Sequence, residues 1–214
     1  MLLVRLLSAG LTFMALGGCA MSKIEEPKYE VVSDYGDFEL RRYDPSIVAE
    51  TSVTGEFSTS ANVGFRRLAN YIFGGNKSQA KIAMTAPVTT TGDQPTSEKI
   101  SMTAPVAQVA TGSDQWLITF TMPSKYTMDT LPEPLDPMVR LRAVPGSTFA
   151  VIRFSGFNSA SLVEEKTAAL RSYAAREQIS LTDHVLYARY NPPWTPWFLR
   201  RNEILIEAKT KTKP

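Results

Sequence analysis

One near-repeat in the chain places two sulphur-bearing side chains at equivalent positions. The string KIAMTAPV begins at Lys81 and KISMTAPV begins at Lys99, so that Met84 of the first copy corresponds to Met102 of the second. A thioether sulphur can ligate haem iron, and a methionine can also fill an irregular gap in a hydrophobic core. Both methionines are therefore candidates for ligand binding as well as for packing.

The counts of histidine and cysteine limit the chemistry that the chain can perform. His184 is the only histidine and Cys19 the only cysteine. Imidazole ligation of iron therefore has one candidate, although a strand histidine often lies at the surface or in a hydrogen bond. A typical zinc site needs more such ligands. A serine-histidine-aspartate triad would need His184, whose neighbour Asp183 points to the opposite face of a strand.

Carboxylate chemistry remains open as an enzyme alternative. Phosphate-binding and dinucleotide-binding glycine motifs are absent from the sequence. Glu50, Glu164 and Glu203 are possible acid or base groups, but nothing in their spacing marks two of them as a pair. The sequence therefore favours a binding protein, with a small-molecule hydrolase as the enzyme alternative.

The repeated motif also predicts the element that carries its methionines. Apolar residues alternate in each copy, a pattern typical of a strand with one buried face; they are Ile82, Met84, Ala86 and Val88, then Ile100, Met102, Ala104 and Val106. The intervening TTTGDQPTSE is rich in turn-forming residues. We expect a hairpin that directs both methionines into an apolar interior, with Pro87 and Pro105 at strand ends, edges or bulges.

Further strands and two helices follow from the same kind of pattern. Strand-like stretches occur near residues 29–33, 37–43, 47–53, 115–122, 138–143, 149–154, 184–190 and 203–207. One helix is predicted over residues 60–73, capped by the cluster at residues 58–60 and ended by Gly74 and Gly75. A second is predicted over residues 161–177, with Ser161 and Glu164 at capping-box spacing.

The order of these elements indicates an internal duplication. Each helix follows a strand that ends in a similar turn, VTG at residues 53–55 and FSG at residues 154–156, and each precedes two more strands. The chain therefore has the order strand, helix, strand, strand, twice. This arrangement resembles the duplicated small-molecule-binding fold of bacterial effector-binding domains, an α+β class.

Three separated motifs carry a resemblance to a known family. The paired MTAPV strings, the stretch NYIFGGNKSQAKIAMTAPV and the later YNPPWTPWFLRRNEILIE occur in this order. Residues 28–208 resemble the SOUL haem-binding family. The resemblance implies a distorted antiparallel β-barrel flanked by two helices, and it implies binding of haem or a related tetrapyrrole.

A tetrapyrrole would need a flat apolar slot and cations for its propionates. We expect the first helix and the strand after it to form one wall of this slot. Arg66, Arg67 and Lys77 are candidate propionate partners, although cations usually remain solvated at the surface. Tyr71 is a further ligand candidate and an alternative to His184 or a methionine for the iron.

A proline-rich loop near the end of the chain carries three large aromatic residues. Residues 190–203 contain too many prolines for a helix or a central strand. Trp194, Trp197 and Phe198 can stack on a planar ligand, but large aromatic side chains more often close a core. We expect the structural role, with Arg200, Arg201 and Glu203 holding the loop by ion pairing.

The first residues resemble a bacterial lipoprotein signal. Arg5 precedes a short apolar run, which is followed by Leu16-Gly17-Gly18-Cys19. We expect residues 1–18 to be a signal peptide, Cys19 to be lipidated, and residues 19–27 to form a short tether. Ala20 favours the outer membrane, facing the periplasm, by resemblance to lipoproteins of Gram-negative bacteria. An ordinary cleaved signal is the alternative.

Composition completes the expected function. The 214 residues carry a formal net charge of +2, and no basic stripe points to nucleic acid. We expect one monomeric domain at residues 28–208, a basic tail at 209–214, and non-covalent haem binding as a carrier, scavenger or buffer in the cell envelope. The alternatives are a binding module for another amphipathic small molecule and an envelope interaction protein that does not bind haem.

Overall fold

An open, curled antiparallel sheet of nine strands carries two helices on one of its faces in this computed structural model, which describes residues 24–78, 97–157 and 159–209. Two very short strands pair separately, β4 with β7. The strands are β1 (Tyr29–Asp34), β2 (Glu39–Tyr43), β3 (Ser46–Thr54), β4 (Asn76–Lys77), β5 (Val106–Gly112), β6 (Gln115–Thr121), β7 (Glu133–Pro134), β8 (Arg140–Val144), β9 (Ser147–Phe154), β10 (Leu181–Arg189) and β11 (Asn202–Ala208).

The two helices are α1 (Phe57–Ile72) and α2 (Ala160–Arg176). Leu68 of α1 shares a buried cluster with Ile118 of β6, and Leu170 of α2 shares another with Tyr187 of β10. Ile118 and Tyr187 are both direct cross-strand partners of Gln108 on β5. Because direct partners point to the same side of a sheet, both helices cover one face.

The strand order confirms the predicted duplication. The large sheet has the order β1-β2-β9-β11-β10-β5-β6-β3-β8, so that β3-α1-β5-β6 and β9-α2-β10-β11 are related by a pseudo-twofold axis between β5 and β10. The two turns that precede the helices contain Gly55 at φ 133° and Gly156 at φ 135°. Only glycine adopts this backbone region readily, which explains the recurring glycine after each strand.

Most predicted strands are present, with ends displaced by at most three residues. The second copy of the repeat is an exception, because residues 99–105 form no strand of the sheet. Ile100 donates its amide to Ile72 at the end of α1, and Thr103 forms an isolated bridge with Glu25. This segment therefore follows the end of α1 and the amino-terminal segment.

The predicted burial of Met102 is wrong, since 38% of the residue is exposed. Ile100 and Ala104 are buried as expected, and Pro105 lies immediately before β5, at the strand end that its missing amide predicted. The first copy of the repeat, including Met84 and Pro87, lies outside the described residues, so the expected hairpin stays a prediction.

Both predicted helix starts are displaced. Glu56 is the N-cap of α1 and makes no side-chain cap hydrogen bond. The predicted cap residue Ser60 lies within the helix and donates to the carbonyl of Phe57. Ser159 caps α2 by accepting from the amide of Leu162, so the predicted capping box at Ser161 is wrong.

Candidate functional site

A row of cross-strand partners crosses the sheet at the end of β10. Arg189 on β10 lies opposite Val106 on β5 and opposite Asn202 on β11. Val106 in turn lies opposite Phe120 on β6, and Asn202 lies opposite Phe154 on β9. Because direct partners share a face, these five side chains lie on the helix-bearing face, two residues along from the row that contains Tyr187.

The two helices bound this row on its two sides. Helix α1 packs on β3 and β6, whereas α2 packs on β9, β10 and β11. The ring of Phe65 on α1 meets Phe120 edge-on with centroids 5.5 Å apart, and 37% of Phe65 is exposed. We call the surface formed by Phe65, Val106, Phe154 and Arg189 the Arg189 surface.

The guanidinium of Arg189 has no carboxylate partner among the described residues. Its Nε atom is buried and makes no hydrogen bond, and its Cζ lies 5.7 Å from the centre of the Tyr187 ring. Burial lowers the pKa of Arg189, and Tyr187 opposes this effect only in part. A partly buried cation without an anion is costly, and an anionic ligand would relieve that cost.

The opposite face of the sheet holds a second arginine in a different setting. Arg41 on β2 is 3% exposed; its Nε donates to Glu39 at 2.6 Å and its Nη1 donates to Glu203 at 3.0 Å. Burial lowers the pKa of Arg41, but Glu39 and Glu203 outweigh this effect and the pKa is raised overall. This arginine is fully neutralised within the fold.

Glu203 is also fully engaged. It is 0% exposed and accepts from the Tyr190 hydroxyl at 2.7 Å and from Nε of Arg201 at 3.0 Å. Burial and the charge of Glu203 raise the pKa of Tyr190. The carboxylate that the sequence left open for acid or base chemistry therefore belongs to a satisfied structural cluster.

A separate cavity of about 750 Å³ lies at the strand ends of the first half. Its apolar wall includes Ile47 and Met122, and its rim carries Lys28 together with several carboxylates. None of the described residues that the sequence nominated for ligand binding lines this cavity. Its volume falls in the range of small-molecule sites.

The residues predicted on α1 have divided roles. Arg66 is exposed and follows Phe65 directly. Arg67 donates to Oγ1 of Thr51 at 2.8 Å and forms an ion pair with Asp136 at 3.5 Å. The Arg66 guanidinium is therefore available to a ligand, whereas Arg67 is held by the protein.

Tyr71 and Lys77 lie at the carboxyl-terminal end of α1 and beyond it. Tyr71 is 1% exposed and its hydroxyl donates to the carbonyl of Pro132 at 2.8 Å. Burial raises the pKa of Tyr71, so its contacts favour a structural role. Lys77 on β4 is exposed, and its place in a ligand site stays a prediction.

The candidate iron ligands that the structure describes lie on different elements of the fold. His184 is exposed, and alternation from Tyr187 places it on the sheet face opposite the Arg189 surface. Met102 is exposed beside the end of α1, while Met84 lies outside the described residues. Cys19, the predicted lipidation site, lies outside them as well. Iron ligation by any of these residues stays a prediction.

The predicted core role of the aromatic loop is wrong. Trp194 is 82% exposed, Trp197 is 50% exposed and Phe198 is 58% exposed. Arg200 holds the loop by other means than the predicted ion pair, because it donates to the carbonyls of Pro193 and Thr195. Arg201 forms its ion pair with Glu203.

Sequence reasoning did not nominate Arg189. Alternation along β10 would place it on the same face as Val185 and Tyr187, and an arginine among apolar residues is a recognisable signal. Its lack of a carboxylate partner depends on β5 and β11, which are distant in sequence.

The family profile and the similar curated proteins all carry the description heme-binding protein. A sequence profile described as SOUL heme-binding protein matches residues 24–96 and 90–207. Heme-binding protein 2 of Homo sapiens is 31% identical over 204 residues, covering 91% of this chain and 91% of that protein. Heme-binding protein 1 of Xenopus tropicalis is 28% identical and covers 78% of this chain and 81% of its own.

Solved structures share the fold at low identity. The C-terminal domain of EcmrR has a TM-score of 0.55 at 10% identity, with 85% of this chain and 98% of that domain covered. A hydrolase from Listeria innocua has a TM-score of 0.50 at 9% identity, with 88% and 94% covered. These likenesses show the fold alone, and the first agrees with the predicted effector-binding-like architecture.

The described residues contain neither a membrane-spanning helix nor a metal-binding cluster. No helix there is long and apolar enough to cross a membrane. No group of three or more histidine, cysteine, aspartate or glutamate side chains is arranged there to hold a metal ion.

Proposed function

Because the chain belongs to the SOUL heme-binding protein family, we propose that it binds haem or a related tetrapyrrole non-covalently at the Arg189 surface. The buried Nε of Arg189, which makes no hydrogen bond, is the observation that carries this placement. Haem is a flat apolar ring with two carboxylates, and the surface offers apolar side chains on both sides of one cation.

The residues present fit such a ligand. Phe65, Val106 and Phe154 supply apolar contact area on the helix-bearing face. A propionate would accept a charge-assisted hydrogen bond from Arg189 and would relieve the cost of its buried, unbonded Nε. Arg66, which is exposed and directly follows Phe65 in α1, is the cation that we propose for the second carboxylate.

The protein's part in this function is to bind and orient the ligand. Bound haem would supply the redox and ligand chemistry of its iron. The chain's own residues would shield one side of the ring from water and neutralise its carboxylates. Binding without catalysis is therefore the activity that we propose, and Glu203, as a satisfied structural group, gives no support to a hydrolase.

We also propose that the domain acts in the cell envelope as a haem carrier, scavenger or buffer. The lipoprotein-like sequence that ends in Leu16-Gly17-Gly18-Cys19 supports this location. A lipid-modified Cys19 would keep the domain close to a membrane, since only nine residues separate Cys19 from Tyr29, where β1 begins.

The cavity of about 750 Å³ supports a second candidate, a site for another amphipathic small molecule. Its size suits such a ligand, but Glu25, Glu26 and Asp44 on its rim disfavour a dianion. Substitutions at the Arg189 surface and in the cavity therefore distinguish a haem site from a site for another small molecule.

The test is a titration of ferric haem and protoporphyrin IX into a chain that begins at Ala20, which keeps every described residue. Arg189→Gln should weaken binding of both about 10- to 100-fold, the value of a charge-assisted hydrogen bond. The matched control is Arg153→Gln, an exposed strand arginine that alternation places on the opposite face, which should bind normally.

The dimethyl ester of protoporphyrin IX provides a second control, because it lacks the carboxylates. Its affinity should be equal for wild type and Arg189→Gln. No saturable binding of either porphyrin would overturn the function, and equal binding of haem by wild type and Arg189→Gln would overturn the placement. In parallel, loss of the ferric spectrum in His184→Ala would identify a ligand on the opposite face and contradict the Arg189 surface.

A further inference from the structure

The loop between β10 and β11 presents large apolar side chains to solvent. Phe157, which follows β9, lies against this loop, and its ring stacks on Trp197 with centroids 5.6 Å apart. The exposed fractions are 61% for Phe157, 82% for Trp194, 50% for Trp197, 58% for Phe198 and 63% for Leu199. We call these five residues the aromatic cluster. The rings of Phe157, Trp197 and Phe198 touch one another in turn, and exposed apolar surface of this kind usually marks a binding surface.

The loop holds the cluster on a stiff frame. Residues Trp197–Leu199 form a 3-10 helix, and the carbonyl of Trp197 accepts from the amide of Gly156 at 3.1 Å. Arg200 donates to the carbonyls of Pro193 and Thr195 from inside the loop. The loop backbone is therefore held in place before any partner arrives, which lowers the entropy cost of binding.

The amino-terminal segment is fastened beside this loop. Arg201, two residues after Leu199, donates to both carboxylate oxygens of Glu26 at 3.2 and 2.9 Å. The same guanidinium pairs with the buried Glu203 and lies 3.7 Å from the centre of the Tyr190 ring. The chain therefore enters the domain next to the aromatic cluster.

The length of chain before this point limits the distance to the predicted anchor. Seven residue steps separate Cys19 from Glu26, which span at most about 25 Å when fully extended. A lipid attached to Cys19 would thus hold the aromatic cluster near the bilayer surface. Tryptophan is enriched at this interface because its ring is apolar and its N–H is polar.

We propose that the aromatic cluster inserts into the interfacial layer of the membrane that carries the lipid anchor. This inference rests on the tether proposed above and goes beyond it, because it assigns a membrane-contact surface to the folded domain. The anchor alone would leave the orientation of the domain free. The cluster would fix that orientation by turning the sheet end that bears Arg189 towards the lipid.

The test uses the full chain, purified after expression with its own signal and reconstituted into phosphatidylcholine vesicles with and without brominated acyl chains. One variant retains Trp194 alone, through Trp116→Phe and Trp197→Phe. The matched control retains Trp116 alone, whose indole N–H donates to Gly55 at the opposite end of the sheet. In unbrominated vesicles the Trp194 emission should be shifted to the blue of that of the lipid-free chain, and bromolipid should remove most of it, while Trp116 should be unaffected.

Three results would overturn the proposal. One is equal, weak quenching of Trp194 and Trp116. Another is protection of Trp194 from aqueous acrylamide without bromolipid quenching, which would make a protein surface or a second copy the occupant. The third is recovery of the chain without an acylated Cys19, because nothing would then hold the cluster at the bilayer.

A haem titration without lipid distinguishes failure of the membrane-contact proposal from failure of the proposed haem binding. The variant Trp194→Ser with Trp197→Ser should bind haem as wild type does in the absence of lipid. Leu135→Ser, which changes another exposed apolar residue away from the loop, serves as its control. Loss of haem binding in the loop variant alone would make the cluster part of the haem site and overturn its assignment to the membrane.

Discussion

Arg41 and Arg189 lie on opposite faces of one sheet and differ in what they contact. Arg41 meets two carboxylates, Glu39 and Glu203, in a setting that leaves it 3% exposed. Arg189 is partly buried, its Nε makes no hydrogen bond, and its Cζ lies 5.7 Å from the centre of the Tyr187 ring. The charge of the first arginine is used within the fold, whereas the charge of the second remains available.

This difference separates stability from binding. A cation that is already paired inside the protein has nothing further to offer a ligand, and its loss leaves a buried carboxylate behind. A buried cation without a partner lowers the stability of the fold, and binding of an anion removes that cost. The two arginines should therefore respond oppositely to the same substitution.

The largest effect is expected at the carboxylate that Arg41 and Arg201 share. Glu203→Gln should lower the free energy of unfolding by about 3–5 kcal/mol, because both guanidinium groups lose their buried counterion. Urea unfolding measures this loss. Glu207→Gln, four residues along the same strand, should cost no more than about 0.5 kcal/mol, and equal losses in the two variants would contradict the central role of Glu203.

A matched pair of substitutions tests the comparison directly. Arg41→Gln should lower the free energy of unfolding by about 2–3 kcal/mol, the value of hydrogen bonds between charged groups. Arg189→Gln should leave it unchanged or raise it, because an uncompensated cation is removed. Urea unfolding and haem titration of both variants should show loss of stability in the first and loss of affinity in the second. The same changes in stability and haem affinity in both variants would contradict the distinction between a structural and a ligand-binding arginine.

Gly64, on the face of α1 that packs against β6, offers a substitution that should change stability and haem binding together. A Cβ built at Gly64 would lie 2.7 Å from Cβ of Ile118, so Gly64→Ala must push α1 away from β6. We expect a loss of about 1–3 kcal/mol in stability together with weaker haem binding, since Phe65 moves with the helix. Asn62→Ala, exposed on the same helix, should change neither quantity. Weaker stability with normal binding would place the ligand away from α1.

The smallest expected effect is a change in alkaline unfolding. Burial raises the pKa of Tyr43, beside Arg41, to about 12, against an ordinary value near 10. The folded state therefore holds its proton more tightly, and stability falls as the pH rises from about 10 to about 12. Tyr43→Phe should make the decline in this window shallower in pH-dependent thermal unfolding. Tyr35→Phe, an exposed tyrosine, is the control, and equal slopes in wild type and Tyr43→Phe would contradict the expectation.

The elements that alternate regularly were predictable from sequence because burial on one side is a local property. In β6, Trp116, Ile118 and Phe120 all face α1 and its core, as their spacing predicts. The glycines at residues 55 and 156 likewise marked two equivalent turns. These signals depend on near neighbours in the chain.

The parts that were not predictable depend on partners that are distant in sequence. Met102 follows the same alternation as a buried strand residue, but its segment contacts Glu25 and the end of α1. The loop tryptophans are apolar enough for a core, yet prolines and Arg200 hold them away from it. Arg189 became a candidate only when the strands beside it were known to bring no carboxylate.

The strand order has a consequence for how the chain can be divided. Strand β2 precedes the first half but pairs with β9 of the second, and β8 precedes the second half but pairs with β3 of the first. The two halves therefore exchange edge strands, as the subunits of a swapped dimer do. A fragment containing either half alone would expose unpaired strand edges and tend to aggregate, so the duplicated units should fold and unfold as a single cooperative body.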